Sequence, residues 1–378
     1  MKIVLVTNSD QYEPRVEIIK NLLKSEHEVI AYSTDFVHRT KTYRTESVHK
    51  DITLFHAKGY KKNLSVARLV SQWDFARRIM KEIEKHSPDV VYCLVPGNSF
   101  VYHAAKYKKK HPNVKLVFDI IDMWPESFPI KNLSWLPPFK IWKNVRDKYL
   151  SKAQIVTAEC GLFLEKLGTS LKDVPTEILY FAKQGTNTDK TPNLPNDKLN
   201  LCYLGSVNNI IDIDFIAELL KSLSALKKTY LHIIGNGERI DEFVAAAKNA
   251  GAEVENHGIV YDIDQKQKIF NECHFGINVM RDTVCVGLTM KSVDYFDASL
   301  PLLNNIKGDT ARFVGDYGAG FNVSYENMKE VAQKVSKLSD DDFCKMREAS
   351  LKVFTQNLTT EVFNTTFEKV KSILENNK

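Results

Sequence analysis

A chain of 378 residues is too long for one ordinary core and suits two domains of about 150–200 residues each. Apolar residues make up 43% and charged residues 26%, no run of eighteen apolar residues occurs, and the start MKIVLVTNSD passes directly into a strand pattern. That composition belongs to a soluble globular protein rather than a membrane-spanning or signal-bearing one, so a cytoplasmic location is expected. The net charge of +5 hides an asymmetry: residues 1–190 hold 31 Lys and Arg against 21 Asp and Glu, while residues 191–378 hold 21 against 26. The first half is therefore at +10 and the second at −5, which implies an anionic surface or substrate for the first.

Residues 2–7 form an apolar run, 15–23 have helical spacing and 28–33 form a second run, so the opening is β-α-β and predicts a parallel sheet. The intervening NSDQYEPRVEII lacks glycine and is no dinucleotide fingerprint. Pro14 suits the first helical position, which puts Arg15 near the carboxyl edge of the sheet, as a candidate acceptor contact or a plain surface arginine. Strand patterns at 51–57, 89–95 and 114–120 alternate with helical ones at 64–86 and 98–110. The last strand runs into FDIIDMWPESFP, where Asp119, Asp122, Trp124 and Glu126 crowd at the edge that lines the ligand crevice of such sheets. Asp122 and Glu126 are candidates for acceptor or sugar contact, or for a cap-and-turn role; Trp124 is a packing residue or a further acceptor contact.

In KNLSWLPPFKIWKNVRDKYL, Phe139, Trp142, Val145 and Tyr149 share one helical stripe and Lys140, Lys143, Asp147 and Lys148 take the other side. Together with the five lysines of KYKKKHPNVK this is what an anionic membrane surface would bind; the alternative is a helix packed on its own sheet with a solvated lysine face. Strands at 152–157 and 177–181 flank a helix at 161–167, and the polar, aperiodic stretch 184–198 reads as a linker that closes a first domain of residues 1–183.

The second domain, 199–355, opens with a strand at 199–204 and a Gly205-Ser206 turn, followed by a helix at 212–226 and a strand at 230–234. Gly235-Asn236-Gly237-Glu238 is a weak signal, because Ile240 stands where a dinucleotide fingerprint needs its third glycine. A strand at 255–260 carries Gly258 and Val260; a helix at 265–273 and a strand at 275–280 lead to VCVGLTMKSVDYFDASLP, residues 284–301. There Gly287, Leu288 and Thr289 open into a helix at 291–298 that begins Lys291-Ser292. Free N–H groups of a first helical turn, a glycine that admits a ligand and a lysine charge make an anion site in outline. Asp294, three residues on and on the same face, can accept hydrogen bonds from vicinal hydroxyls, so phosphate plus diol suggests a nucleotide. The plain alternative is a solvated Lys/Asp pair on a surface helix. Ser339 caps an acidic first turn, and a last amphipathic helix lies within 356–378.

No metal is expected. Asp212/Asp214 and Asp262/Asp264 precede helices, where carboxylates cap free N–H groups, and the ten histidines lack ligand spacing such as H-x-x-x-H. The six cysteines lie mostly in apolar runs without C-x-x-C spacing and read as reduced thiols.

Several of these stretches resemble glycosyltransferase family 4. Lys291-x-x-Asp294-Tyr295 with Pro301 is similar to its K-x-x-E-Y…G-x-P-V segment, with Asp for Glu and Ser299 for Gly. Asp119 to Ser127 resembles the D-x-R-D-L-W-P-E-S of bacterial polysaccharide enzymes of that family, with Ile121 for Arg, and Glu13 to Val16 resembles a D-P-R-V segment. The resemblance implies an α/β protein of two doubly wound Rossmann-like domains facing across a cleft, the GT-B fold, with the last helix crossing back to the first domain. It implies sugar transfer from a nucleotide sugar, UDP-linked, to a saccharide or lipid-linked saccharide in capsule or exopolysaccharide synthesis, with retention of configuration and no cofactor beyond the donor. Donor contacts would come from Gly205, Ser206, Gly258, Val260, Arg281, Gly287, Leu288, Thr289, Lys291, Ser292 and Asp294; acceptor contacts from Arg15, Asp122, Trp124 and Glu126; catalysis from Asp122, Glu126 and Lys291. Two departures stand out: GSVNNIIDID supplies no Arg or Lys after the first strand of the second domain, and Val286 occupies the place of the family's first glutamate. A non-catalytic partner subunit and a sugar-nucleotide epimerase of the same fold are the alternatives. No recognised motif accompanies the basic charge, so nucleic acid is not an expected partner.

Overall fold

The apolar start of the chain becomes β1 (Lys2–Val6), in which Ile3, Val4, Leu5 and Val6 are wholly buried. A strand covered on both faces is the kind that builds parallel sheets. The computed structural model of the protein describes residues 1–95, 97–127, 136–195 and 197–376. Contacts divide the chain into two compact units, Met1–Leu179 with Asn364–Lys378, and Tyr180–Phe363.

In the first unit β1 is followed by α1 (Glu13–Leu23), β2 (Glu28–Thr34), the small hairpin β3 (Phe36–Val37) and β4 (Thr42–Tyr43), and β5 (Thr53–Phe55). Then come α2 (Val66–Glu84), β6 (Val90–Val95), α3 (Asn98–Lys110), β7 (Lys115–Ile120), α4 (Pro137–Asp147), β8 (Ile155–Ala158), α5 (Gly161–Leu167) and β9 (Thr176–Ile178). Seven strands pair in parallel in the order β5-β2-β1-β6-β7-β8-β9. The order reverses between β1 and β6, the switch point beside which such sheets bind ligands at their carboxyl ends.

One member of the aromatic stripe of α4 is turned inward, while Phe139, Val145 and Tyr149 are partly covered. Trp142 is buried, Asn98 on α3 donates to its carbonyl at 2.9 Å, and the Tyr149 ring meets Tyr102 edge-on at 5.3 Å. Of the apolar residues on α4 only Ile141, off that stripe, is strongly exposed, at 63%. The segment 128–135, which holds the front of the basic-aromatic stretch, lies outside the described residues.

The second unit runs β10 (Leu199–Leu204), α6 (Ile213–Ser224), β11 (Thr229–Ile234), α7 (Ile240–Asn249), β12 (Glu253–Gly258), α8 (Ile263–Asn271), β13 (Phe275–Asn278) and α9 (Met290–Asp297). β14 (Leu302–Asn304), α10 (Asp309–Tyr317), β15 (Gly320–Asn322), α11 (Met328–Ser336), α12 (Asp340–Asn357) and α13 (Thr360–Glu375) follow. Its six strands are parallel in the order β12-β11-β10-β13-β14-β15, again with one reversal, between β10 and β13. Leu201, Tyr203, Leu231, Ile233, Phe275 and Ile277 pack with Phe215, Leu219 and Phe243 of α6 and α7 in one buried cluster. The fold class is therefore α/β, with two doubly wound parallel sheets.

One feature departs from the sequence reading. Helices α7, α10 and α11 are short amphipathic turns of 9 or 10 residues whose periodicity does not stand out from loop in the sequence. Within residues 184–195 the Thr186 N–H donates to Asp297 at 3.1 Å, Thr188 to Gln267 at 3.2 Å, and Asn193 to the Asn271 carbonyl at 2.8 Å. In α13 the residues from Asn364 onward belong to the first unit, where Phe367, Val370 and Leu374 are buried and the Phe367 ring lies 6.5 Å from that of Tyr92. Four of the six cysteines, Cys93, Cys160, Cys202 and Cys273, are buried.

Candidate functional site

The start of α9 is organised from below by a ladder of asparagines. The registers of β13, β14 and β15 place Asn278, Asn304 and Asn322 side by side at the carboxyl edge of the sheet. Asn278 donates to Asn304, and Asn304 to Asn322, at 2.8 Å each. Thr289 docks on this ladder, its hydroxyl donating to Asn278 at 3.0 Å and accepting the Ser292 N–H at 3.0 Å. Thr289 is thus a true N-cap, and it takes one of the donors an anion could have used. Ser292 is wholly buried and its hydroxyl accepts from Asn278, so of its groups none points outward. Among the described residues the N–H groups of Met290 and Lys291 remain unengaged, and these are the donors an anion would meet.

Tyr295 locks the helix onto the sheet. Its hydroxyl donates to the Cys202 carbonyl at 3.0 Å and accepts the Leu204 N–H at 2.7 Å, and its ring lies where a Cβ on Gly276 would stand, within 2.8 Å. Gly276 is therefore required by the tyrosine rather than by a turn.

Lys291 does not simply face outward. Its stem is half-exposed, but Nζ is buried without a hydrogen-bond partner and sits 4.7 Å from the centre of the Tyr203 ring. Burial pulls its pKa from 10.5 down to about 7. Asp294 is engaged from a direction the sequence did not show: Lys183 Nζ meets Asp294 Oδ1 at 2.7 Å and buried Asp297 at 3.0 Å. Its second carboxylate oxygen has no partner among the described residues and is the atom left for a diol.

Other expected donor residues ring the same carboxyl edge. Gly205, at φ 116°, ends β10, and a Cβ on Gly235 would strike its carbonyl at 2.1 Å, so these two turns need glycine. The Ser206 carbonyl accepts from the Tyr203 hydroxyl at 3.1 Å. Gly258 accepts from the Gly235 N–H at 2.7 Å, and Val260 follows β12 by two residues. Arg281 is exposed and its N–H donates to Ile210 at 2.9 Å. The Gly287 carbonyl accepts both the N–H and the hydroxyl of Thr310 at 2.8 Å, and Leu288 is buried.

In the first unit Arg15 is neither an open acceptor contact nor a surface arginine. It is 4% exposed and grips Asp119 through two bonds of 2.7 and 2.9 Å, with a third to the Leu179 carbonyl. Thr157 and Tyr92 complete the shell around Asp119. Glu126 is held by Arg146 at 2.8 Å and by Lys143 at 3.4 Å; burial opposes its ionisation, but the Arg146 guanidinium wins and keeps the carboxyl below its ordinary value. Glu126 thus acts as a brace between its loop and α4.

Asp122 accepts from its neighbour Met123 N–H at 2.8 Å and from the Trp124 indole at 2.6 Å, and burial raises its pKa. The Arg68 guanidinium stacks 3.7 Å above the Trp124 ring, and its Nε is buried without a partner. Glu159, one residue beyond β8, is pushed up to about 8, first by burial and then by Asp122 and Asp119, against the pull of Arg15. Tyr12 feels both Asp122 and Glu159. Sequence reasoning missed Tyr12, Arg68 and Glu159. The signal for Glu159 was available, since it ends a strand at the same carboxyl edge; Arg68 carried none, because α2 lies far away in sequence.

Compared by sequence, the chain matches no family model and no curated protein. Compared by structure, it is similar along nearly its whole length to solved glycosyltransferases. The apo lipopolysaccharide outer core galactosyltransferase WaaB aligns with 14% identity, 98% of this chain, 99% of that one and a TM-score of 0.65. HepE of Anabaena in complex with UDP-glucose gives 15%, 98%, 100% and 0.65, and the sucrose-phosphate synthase of Thermosynechococcus elongatus 12%, 99%, 99% and 0.69. The chain has their fold, GT-B.

Proposed function

We propose that this protein is a glycosyltransferase that moves a sugar from a nucleotide sugar, UDP-linked, to a saccharide or lipid-linked saccharide in cell-surface polysaccharide synthesis, as the resemblance to glycosyltransferase family 4 implies. The observation that carries the reading is the α9 edge of a GT-B chain, where two free N–H groups, Lys291 and one open oxygen of Asp294 lie within a single helical turn. The diphosphate takes the Met290 and Lys291 N–H groups and draws the Lys291 ammonium off the Tyr203 ring; Asp294 takes the ribose hydroxyls. HepE, solved with UDP and with UDP-glucose, supports a uridine nucleotide.

Departure of a nucleoside diphosphate leaves charge on its phosphate oxygens, and fixed donors there lower the barrier most. Lys291 gains a proton's worth of charge as the diphosphate arrives, which compensates for the cation missing after β10. The acceptor is held by the first unit, where Asp122, Glu159, Tyr12, Arg68 and Trp124 offer carboxyls, a hydroxyl, a guanidinium and an aromatic face. Glu159, protonated near neutral pH, donates to or accepts from an acceptor hydroxyl. No cofactor beyond the donor takes part, and the Lys108, Lys109, Lys140 and Lys143 side chains meet an anionic lipid surface that carries the acceptor. The experiment is a thermal-shift screen of nucleotide sugars followed by a transfer assay with the best binder. Stabilisation by no nucleotide diphosphate, or donor consumption without transfer to any saccharide, contradicts the proposal.

A further inference from the structure

Beyond the nucleotide edge, the second unit carries a cluster that the sequence reading passed over. The register of β11 with β12 sets His232 against Glu255, and His257, two residues on, shares the face of Glu255 because strands alternate. His232 Nδ1 stands 3.1 Å from His257 Nε2 and 3.6 Å from Glu255 Oε2, with the two rings nearly parallel at 12°. One ligand atom from each residue lies within 4.8 Å of the others. His232 is 6% exposed, and its other nitrogen, Nε2, is buried with no hydrogen-bond partner. His257 is mostly covered and Glu255 mostly open, so the group is walled on one side and wet on the other.

Two imidazole nitrogens at this distance either share one proton or share one metal. A tetrahedral ion with arms of about 2.0–2.2 Å holds its ligand atoms roughly 3.3–3.5 Å apart, which the distances of 3.1 and 3.6 Å bracket. We propose that His232, Glu255 and His257 form a binding site for a divalent transition metal of borderline softness, Zn²⁺ foremost, with water in the fourth position. Two imidazoles and a carboxylate select such ions over Mg²⁺ and Ca²⁺, which prefer oxygen ligands. The ion ties the edge strand β12 to β11, and the tie ends one residue before Gly258. Its role is to hold this edge together, separate from the chemistry of sugar transfer, so the site stands whether or not the proposed activity does.

The test uses the full chain without a polyhistidine tag, stripped with chelator and titrated with Zn²⁺ by calorimetry and thermal denaturation, with Co²⁺ as a spectroscopic probe. The inference predicts one equivalent bound, a melting temperature raised by Zn²⁺ but not by Mg²⁺, and the intense visible bands of tetrahedral Co²⁺. Glu255→Gln, at an exposed position that leaves the fold intact, weakens Zn²⁺ by roughly tenfold or more, and His257→Ala abolishes the Co²⁺ bands. Cys285→Ser and Cys344→Ser leave both readouts unchanged. Absence of binding by the parent chain, or binding that survives Glu255→Gln and His257→Ala undiminished, overturns it.

Discussion

Replacing Lys291 by Met is expected to make the protein more stable and worse at binding UDP. In the free protein the Lys291 amine is buried with no hydrogen-bond partner among the described residues, 4.7 Å from the centre of the Tyr203 ring. A pKa drawn from 10.5 to about 7 corresponds, at about 1.36 kcal/mol per pH unit, to a ceiling of roughly 5 kcal/mol against the charged form. The half-exposed stem and the ring contact reduce that, and a gain of about 1–3 kcal/mol at pH 7 is the expected outcome. The sign follows from the depressed pKa. Between about pH 7 and 10.5 the unfolded chain holds a proton the folded one lacks, so this group makes stability rise with pH across that window. Lys291→Met flattens the rise. Loss of the charge-assisted phosphate contact costs about 1.5–3 kcal/mol of UDP affinity, or roughly 10- to 150-fold. Urea unfolding at several pH values reads the first effect and calorimetry the second; calorimetry in buffers of different ionisation heats also shows proton uptake when the parent binds UDP. A variant that is less stable than the parent yet binds UDP equally well refutes the reasoning.

Glu159 titrates in the opposite sense. Its carboxyl is raised from 4.5 to about 8, so the folded chain keeps a proton that the unfolded one has lost, and its contribution to stability fades as pH rises through that window. Glu159→Gln is expected to remove this slope from the urea midpoint and, if the residue handles the acceptor proton, to abolish the corresponding limb of the rate profile. Lys183→Met leaves buried Asp297 with Thr186 and the more distant Lys190 as its partners among the described residues, and is expected to cost roughly 2–3 kcal/mol, less than the ~3–5 of a fully orphaned charge. Asp297→Asn in the same chain recovers part of the loss in a double-mutant cycle. With Trp142 turned inward, lipid binding is expected to rest mainly on lysines, so pelleting with anionic vesicles is expected at low salt, lost at high salt and lost when Lys108, Lys109, Lys140 and Lys143 become Glu.

What the sequence made legible was whatever depends on neighbours along the chain. The β-α-β alternation from Lys2 onward, the Pro14 helix start and the Ser339 capping box with Asp342 all appear where local pattern puts them. The α9 start was legible for the same reason, since Thr289, Lys291 and Asp294 are near neighbours along the chain at the start of one helix. Contacts set by sheet register were not. Asn278, Asn304 and Asn322 meet only because β13, β14 and β15 align, and nothing in their flanking residues marks them as partners. Arg15 finds Asp119 across 104 residues, and Lys183 finds Asp294 across 111. For both arginine and lysine a charge at the edge of an element suggests solvent or ligand, and only the fold shows that a carboxylate distant in sequence had claimed it.

The most direct test of the account is calorimetric titration of UDP into the parent chain, Lys291→Met and Asp294→Asn, with EDTA present throughout. The account predicts that the parent binds UDP without added Mg²⁺ or Mn²⁺ and that each variant binds about tenfold or more weakly, Lys291→Met losing the proton uptake as well. UDP binding by the parent only when Mg²⁺ or Mn²⁺ is restored, or equal binding by all three chains, contradicts it.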